Sequence, residues 1–108
     1  MFNFFRTREK KYQDLSCAEF ESGMKAPDAI LIDVRTAGEF AGKKIKGARN
    51  LDLTSPSFEE KIKNLPKDKA YYLYCRSGNR SGQACEMMAE RGFDRLNNLS
   101  GGIVSWPY

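Results

Sequence analysis

Along most of the chain, short apolar runs alternate with amphipathic stretches, and turn residues separate them. Ala29-Ile30-Leu31-Ile32-Asp33-Val34 is apolar without polar alternation, the pattern of a parallel strand covered on both faces; it is expected near the centre of a sheet. Ala70 to Tyr74 (AYYLY) is short and aromatic, follows Pro66-Lys67-Asp68-Lys69, and reads as a buried strand that delivers Cys75 to its C-terminal end. Tyr12–Leu15, Arg49–Leu51 and Phe93–Leu99 supply three further short strands.

Between the strands the spacing turns helical. Ser16-Cys17-Ala18-Glu19 has the capping-box form S-x-x-E ahead of an apolar pair, Phe20 and Met24, and predicts a helix ending near Gly23 to Pro27. Thr36-Ala37-Gly38-Glu39 repeats the pattern and opens a second helix, terminated by Gly42 and Lys43-Lys44. A third is capped by Ser55 or Ser57, has Pro56 near its first turn and Phe58, Ile62 and Leu65 along one stripe, and stops at Pro66. Ser81 to Arg91 sets Ala84, Met87 and Met88 against Gln83, Glu86 and Glu90, with Gly92 where a left-handed residue closes a helix. Gly101-Gly102 leads into a stub ending at Trp106-Pro107-Tyr108. Strands alternating with short helices predict an α/β domain, a mainly parallel central sheet flanked by helices on both faces. Ligands of such sheets lie beyond the strand C-termini at a topological switch point, and Asp33 and Cys75 both fall at such ends.

Composition narrows the function classes. At 108 residues the chain holds one core: residues 1–11 are expected to form an arm and 12–108 the domain. Met-Phe-Asn-Phe-Phe at the start is followed by basic residues, the wrong order for a secretory signal. No apolar run approaches the roughly 20 residues of a membrane span. The 18 basic and 14 acidic residues leave a net charge of +4, which steers small anions toward a site. Basic positions are interrupted by acids, so no nucleic-acid partner is expected. Three cysteines and no histidine exclude a disulfide framework, a zinc site and a Cys-His catalytic pair; a reducing, cytoplasmic setting is expected, with no metal and no cofactor. Cys85 reads as core and Cys17 as first-turn; a resolving disulfide from either to Cys75 stays open.

The candidate chemistry lies in Cys75-Arg76-Ser77-Gly78-Asn79-Arg80-Ser81. A strand, tight loop and helix in succession direct backbone N–H groups and the helix dipole at one point, an anion cradle. A helix N-terminus and nearby arginines also lower a thiol pKa, so Cys75 is the candidate nucleophile. Arg76 and Arg80 are expected to favour anions, Gly78 to let the backbone close tightly, and Asn79 to take an unusual backbone angle. Asp33 is expected near the loop, orienting an arginine or capping a turn, and Arg35 and Glu39 are spaced to pair with each other.

Four blocks carry a resemblance to a known family. The cysteine loop, Asp33-Val34-Arg35 with Glu39-Phe40, Ile45-Lys46-Gly47-Ala48-Arg49-Asn50-Leu51, and Leu99-Ser100-Gly101-Gly102-Ile103-Val104-Ser105-Trp106 occur in that order and resemble the rhodanese-like sulfurtransferase domain. Lys43-Lys44 stands where that family commonly has Gly-His. The resemblance implies a persulfide-carrying Cys75 in a pocket lined by Arg76, Ser77, Gly78, Asn79 and Arg80, with Asp33, Arg35 and Ser81 supporting. It implies transfer of a sulfane sulfur from thiosulfate or a persulfide donor to a thiol, cyanide or protein acceptor. Two alternatives compete: a non-catalytic interaction module of the same fold, and a Cys-dependent phosphatase or arsenate reductase of a related fold. The latter needs an arginine six positions after the cysteine, where this chain has Ser81.

Overall fold

The computed structural model describes residues 10–108; the Phe-rich start, and with it most of the expected arm, lies outside the described residues. Five strands, β1 (Gln13–Leu15), β2 (Ala29–Asp33), β3 (Arg49–Asn50), β4 (Ala70–Tyr74) and β5 (Leu96–Leu99), form one sheet in the order β1-β5-β4-β2-β3. Every pairing is parallel. The middle strand is β4 rather than β2, although β2 is paired on both sides; beyond it β3 contributes only two residues.

Unalternating apolar strands become intelligible once side chains are followed to the two faces. From β4, Tyr71 and Leu73 enter a core with Ile32, Val34, Phe58, Ile62, Ala84, Cys85, Met88 and Phe93. Tyr72 and Tyr74 enter the opposite core with Phe20, Leu31, Ile45, Leu99 and Ile103. Successive residues of a strand point to opposite faces, so a sheet buried on both sides needs apolar residues at every position. The first core lies under α3 (Phe58–Lys63) and α4 (Asn79–Glu90), the second under α1 (Cys17–Gly23) and a 3-10 turn, Ile103–Ser105. Edge-on aromatic contacts reinforce both: Tyr71 with Phe93 at 5.4 Å and Phe20 with Tyr72 at 5.3 Å between ring centres.

Both capping boxes form. The Ser16 hydroxyl accepts from the Glu19 N–H and the Glu19 carboxylate from the Ser16 N–H, and Thr36 and Glu39 repeat the exchange at α2 (Ala37–Gly42). At α3 the residue before the helix is Ser57, but its hydroxyl caps nothing; the Ser55 Oγ instead accepts from the Ser57 N–H. Helix α4 starts at Asn79, two residues earlier than the apolar period predicts, and Gly92 closes it with a positive φ of 94°.

The exit from β2 is fixed by a buried ion pair. Asp33 is fully buried and Arg35 is 5% exposed. The Arg35 Nη2 donates to Asp33 Oδ2 at 2.7 Å, and its N–H and Nε donate to Oδ1 at 2.9 and 3.0 Å. Arg35 therefore pairs with Asp33 and not with Glu39, because a carboxylate with no access to water must be met by the closest donors. The same guanidinium donates to the Lys43 carbonyl. That contact uses only main chain at position 43, so it does not depend on the lysine side chain. Ile45 is buried beyond it, its N–H donating to the Tyr74 hydroxyl at 3.0 Å.

Removing one member of a buried pair strands the other charge, at a cost of about 3 kcal/mol or more. Arg35→Ala should therefore lower the urea-unfolding free energy by at least that much. Arg95→Ala, at the exposed pair with Asp28, should barely change the urea midpoint.

Candidate active site

Adjacent strands β2 and β4 send their chains in opposite directions, one to β3 and the other to β5, which makes their shared C-terminal end the switch point of the sheet. Asp33 and Tyr74 are register partners there, and Cys75 is the next residue. The sequence expectation that Asp33 and Cys75 share an edge is met.

From Cys75 the backbone turns into α4 through Gly78, which has φ 101° and stands at the residue before the helix. A glycine offers no side-chain acceptor, so the first N–H groups of α4 lack the usual cap. The Cys75 sulfur takes that place: its Sγ receives the Gly78 N–H at 3.1 Å, the Ser81 N–H at 3.4 Å and the Ser81 hydroxyl at 3.3 Å. Burial by itself would push the thiol up. The Ser81 hydroxyl and the N–H groups of Ser81, Gly78 and Ser77 overcome it, leaving Cys75 below the ordinary thiol value. Cys85, on the same helix but deep in the core, has no such donors, and burial pushes it up.

The turn after β5 holds the loop from behind. The Ile103 N–H donates to the Cys75 carbonyl at 2.9 Å and the Val104 N–H to the Arg76 carbonyl at 3.1 Å. Backbones approach so closely that a Cβ on Gly78 would stand 2.2 Å from the Ser100 carbonyl oxygen, and one on Gly102 2.1 Å from that of Arg76. From β5, the Asn98 Nδ2 donates to the Gly78 carbonyl at 3.2 Å and to Asp14 at 2.9 Å. Sequence reasoning missed Asn98; its one signal was a polar residue in a strand, at a position that turns out 3% exposed.

The residues named from sequence separate into groups. Ser81 is fully buried against the sulfur, closer to the chemistry than expected. Arg76, Ser77 and Asn79 are exposed, and Asn79 is the first helical residue: among the described residues only glycines have positive φ. Arg80 does not turn to the sulfur. Its Nη1 and Nη2 donate to Glu39 Oε1 and Oε2 at 2.8 and 3.0 Å. The Arg80 guanidinium holds the Glu39 carboxyl down at about 2, against burial and aided by the Thr36 donors. Glu39 is the second residue that sequence reasoning missed in this role, since its capping pattern already accounted for it. Asp33 and Arg35 set the β2 exit beside the loop without touching the sulfur. Cys17, Cys75 and Cys85 are all free thiols, and Cys17 donates to the Ser105 carbonyl on the other face of the sheet. Among the described residues no cluster of His, Cys, Asp and Glu is built to hold a metal, and no helix is long and apolar enough to cross a membrane.

Comparison with known proteins places the fold among known ones. The family model described as the rhodanese-like domain matches residues 16–107, a span that contains all four sequence blocks. A sulfurtransferase of Allochromatium vinosum is 40% identical over 79 residues, 73% of this chain and 72% of its own length. The crystal structure of a rhodanese-related protein from Thermoplasma volcanium superposes with a TM-score of 0.76 at 32% identity, covering 88% of this chain and 90% of that one. A human single-domain sulfurtransferase, 24% identical, shares the fold with a TM-score of 0.71 over 86% of this chain and 93% of its own.

Two measurements test the electrostatics. Ser81→Ala removes a donor from the ionised sulfur, so its iodoacetamide alkylation profile should move to higher pH, with a severalfold lower rate at neutral pH. Glu39 ionises more readily folded than unfolded, so its pairing stabilises the fold above the ordinary carboxylate value of 4.5 and is lost as pH falls toward about 2. Both partners are about one-third exposed, which keeps the effect modest. Glu39→Gln should accordingly flatten the pH dependence of the unfolding midpoint over that interval.

Proposed function

The chain belongs to the rhodanese-like domain family and is a sulfurtransferase in general class by its relatives, and we propose that it moves a sulfane sulfur from thiosulfate or a persulfide donor, through a persulfide on Cys75, to a thiol, cyanide or protein acceptor. The observation that carries this is the set of donors closing on Cys75 Sγ at the head of α4. They favour a thiolate without a histidine, and the chain has none.

In the first half-reaction an electron pair of the Cys75 thiolate forms a bond to the outer sulfur of thiosulfate. The S–S bond of thiosulfate breaks and its pair leaves with sulfite. In the second, an acceptor thiolate attacks the outer sulfur of the persulfide; the bond to Cys75 breaks and the thiolate returns. No proton changes hands at the sulfur in either step, so the site needs donors that stabilise negative charge and no general base. The Gly78, Ser77 and Ser81 N–H groups and the Ser81 hydroxyl are suited to that. Positive charge at Arg76 adds attraction for the donor.

The phosphatase alternative is less well supported, because both Nη groups of the loop's second arginine are committed to Glu39 and Ser81 faces the sulfur where an arginine would be required. A depressed thiol likewise favours an active site over a bare interaction module. Free cysteines throughout suit a reducing compartment such as the cytoplasm, and 12–108 is the proposed extent of the domain.

Reduced protein incubated briefly with thiosulfate, and separately with a small persulfide, should gain about 32 Da by intact mass. Cyanide or a thiol should remove the added mass. Cys75→Ser should gain nothing, whereas Cys17→Ser and Cys85→Ser should be labelled like the wild type. Loss of labelling in either of the latter would replace this reading with a disulfide relay. No labelling of the wild type by either donor would defeat it.

A further inference from the structure

Arg80 is the second residue of α4, in the first turn whose N–H groups meet the sulfur, and it feels the charge of Cys75. A guanidinium so placed is the obvious counter-charge for an anionic donor, yet both of its Nη groups are taken by the Glu39 carboxylate in a fork-to-fork arrangement. Pairs as exposed as this one are ordinarily weak, because two long side chains must be immobilised together. Here one side is already fixed: Glu39 Oε1 also accepts from the Thr36 N–H and hydroxyl, each at 3.1 Å, as part of the α2 capping box. The carboxylate therefore stands in place before Arg80 reaches it.

The electrostatic effect on the pocket is a single one: the fixed Glu39 charge, within a Debye length of the loop, cancels the charge of Arg80 and withholds its attraction from an incoming anion. Thiosulfate carries two negative charges at neutral pH and a simple alkyl persulfide carries one, so the penalty falls more heavily on thiosulfate.

Building on the sulfur-transfer reading, we propose that Glu39 is a specificity-determining residue which, by masking Arg80, disfavours doubly charged donors relative to singly charged persulfides. The preferred donor is accordingly a persulfide of a small or protein thiol, and the reaction that supplies it is one that leaves sulfane sulfur on a thiol.

The test compares kcat/KM for thiosulfate and for 2-hydroxyethyl persulfide in the wild type, Glu39→Gln, Arg80→Lys and the double variant Glu39→Gln/Arg80→Ala. Glutamine also serves at this capping-box position, and far-UV circular dichroism with thermal melting checks that each variant folds. Glu39→Gln should raise the thiosulfate-to-persulfide ratio about threefold to tenfold, mainly through a lower KM for thiosulfate. Arg80→Lys, which keeps the charge but loses the fork, should raise it in the same direction. The gain should vanish in the double variant and shrink at about 0.5 M salt. A ratio that stays level or falls in both single variants overturns the proposal, as does a gain that persists without a cation at position 80. Failure of the underlying reading looks different, since the wild type would then acquire no sulfur from either donor.

Discussion

Everything at this site depends on how a helix begins without a side chain to cap it. The first turn of an α-helix presents N–H groups that need acceptors, and Gly78 brings none. The sulfur of Cys75 supplies the missing acceptor, so the requirement that stabilises α4 is the same one that stabilises a thiolate. Structure and reactivity are coupled through one atom. A neutral thiol is a poor acceptor and a thiolate a good one, which gives the fold itself a stake in the ionisation state.

That coupling requires a backbone held to close tolerance, and the surrounding elements provide it in layers. The parallel sheet brings β2 and β4 to a common edge. Asp33 and Arg35 lock the departure of β2 from that edge, and Asn50 joins them by donating to the carbonyls of both. Behind the loop, the turn after β5 approaches so closely that only glycine fits at 78 and 102. Each layer uses contacts between segments distant in sequence, so the loop's shape belongs to the whole domain.

Much of this was legible in the residues. The two capping boxes, the unalternating strands and the cysteine at a strand end follow from local chemistry, and local chemistry is what a sequence displays. Failures occurred where burial, backbone conformation or a remote partner decides, rather than helical spacing. Glu39 is 41 positions from Arg80, and its spacing to Thr36 gave it a complete local explanation, hiding the second role. Helical spacing pairs Arg35 with Glu39, but the burial of Asp33 decides the pairing. Helical spacing of apolar and polar residues is visible only from Ser81 onward, whereas the true start of α4 is set by the positive φ of Gly78 and a sulfur acceptor. Neither leaves a hydrophobic trace.

The donors that meet the sulfur are main-chain groups plus one buried hydroxyl, while the side chains of Arg76, Ser77 and Asn79 face solvent. The groups around the sulfur and the side chains turned to solvent are thereby separable parts of the same seven residues. Outward-facing positions are free to diverge in size and charge without disturbing the surroundings of the sulfur. The outer face of the loop can thus change by surface drift alone while the packing around the sulfur is inherited unaltered.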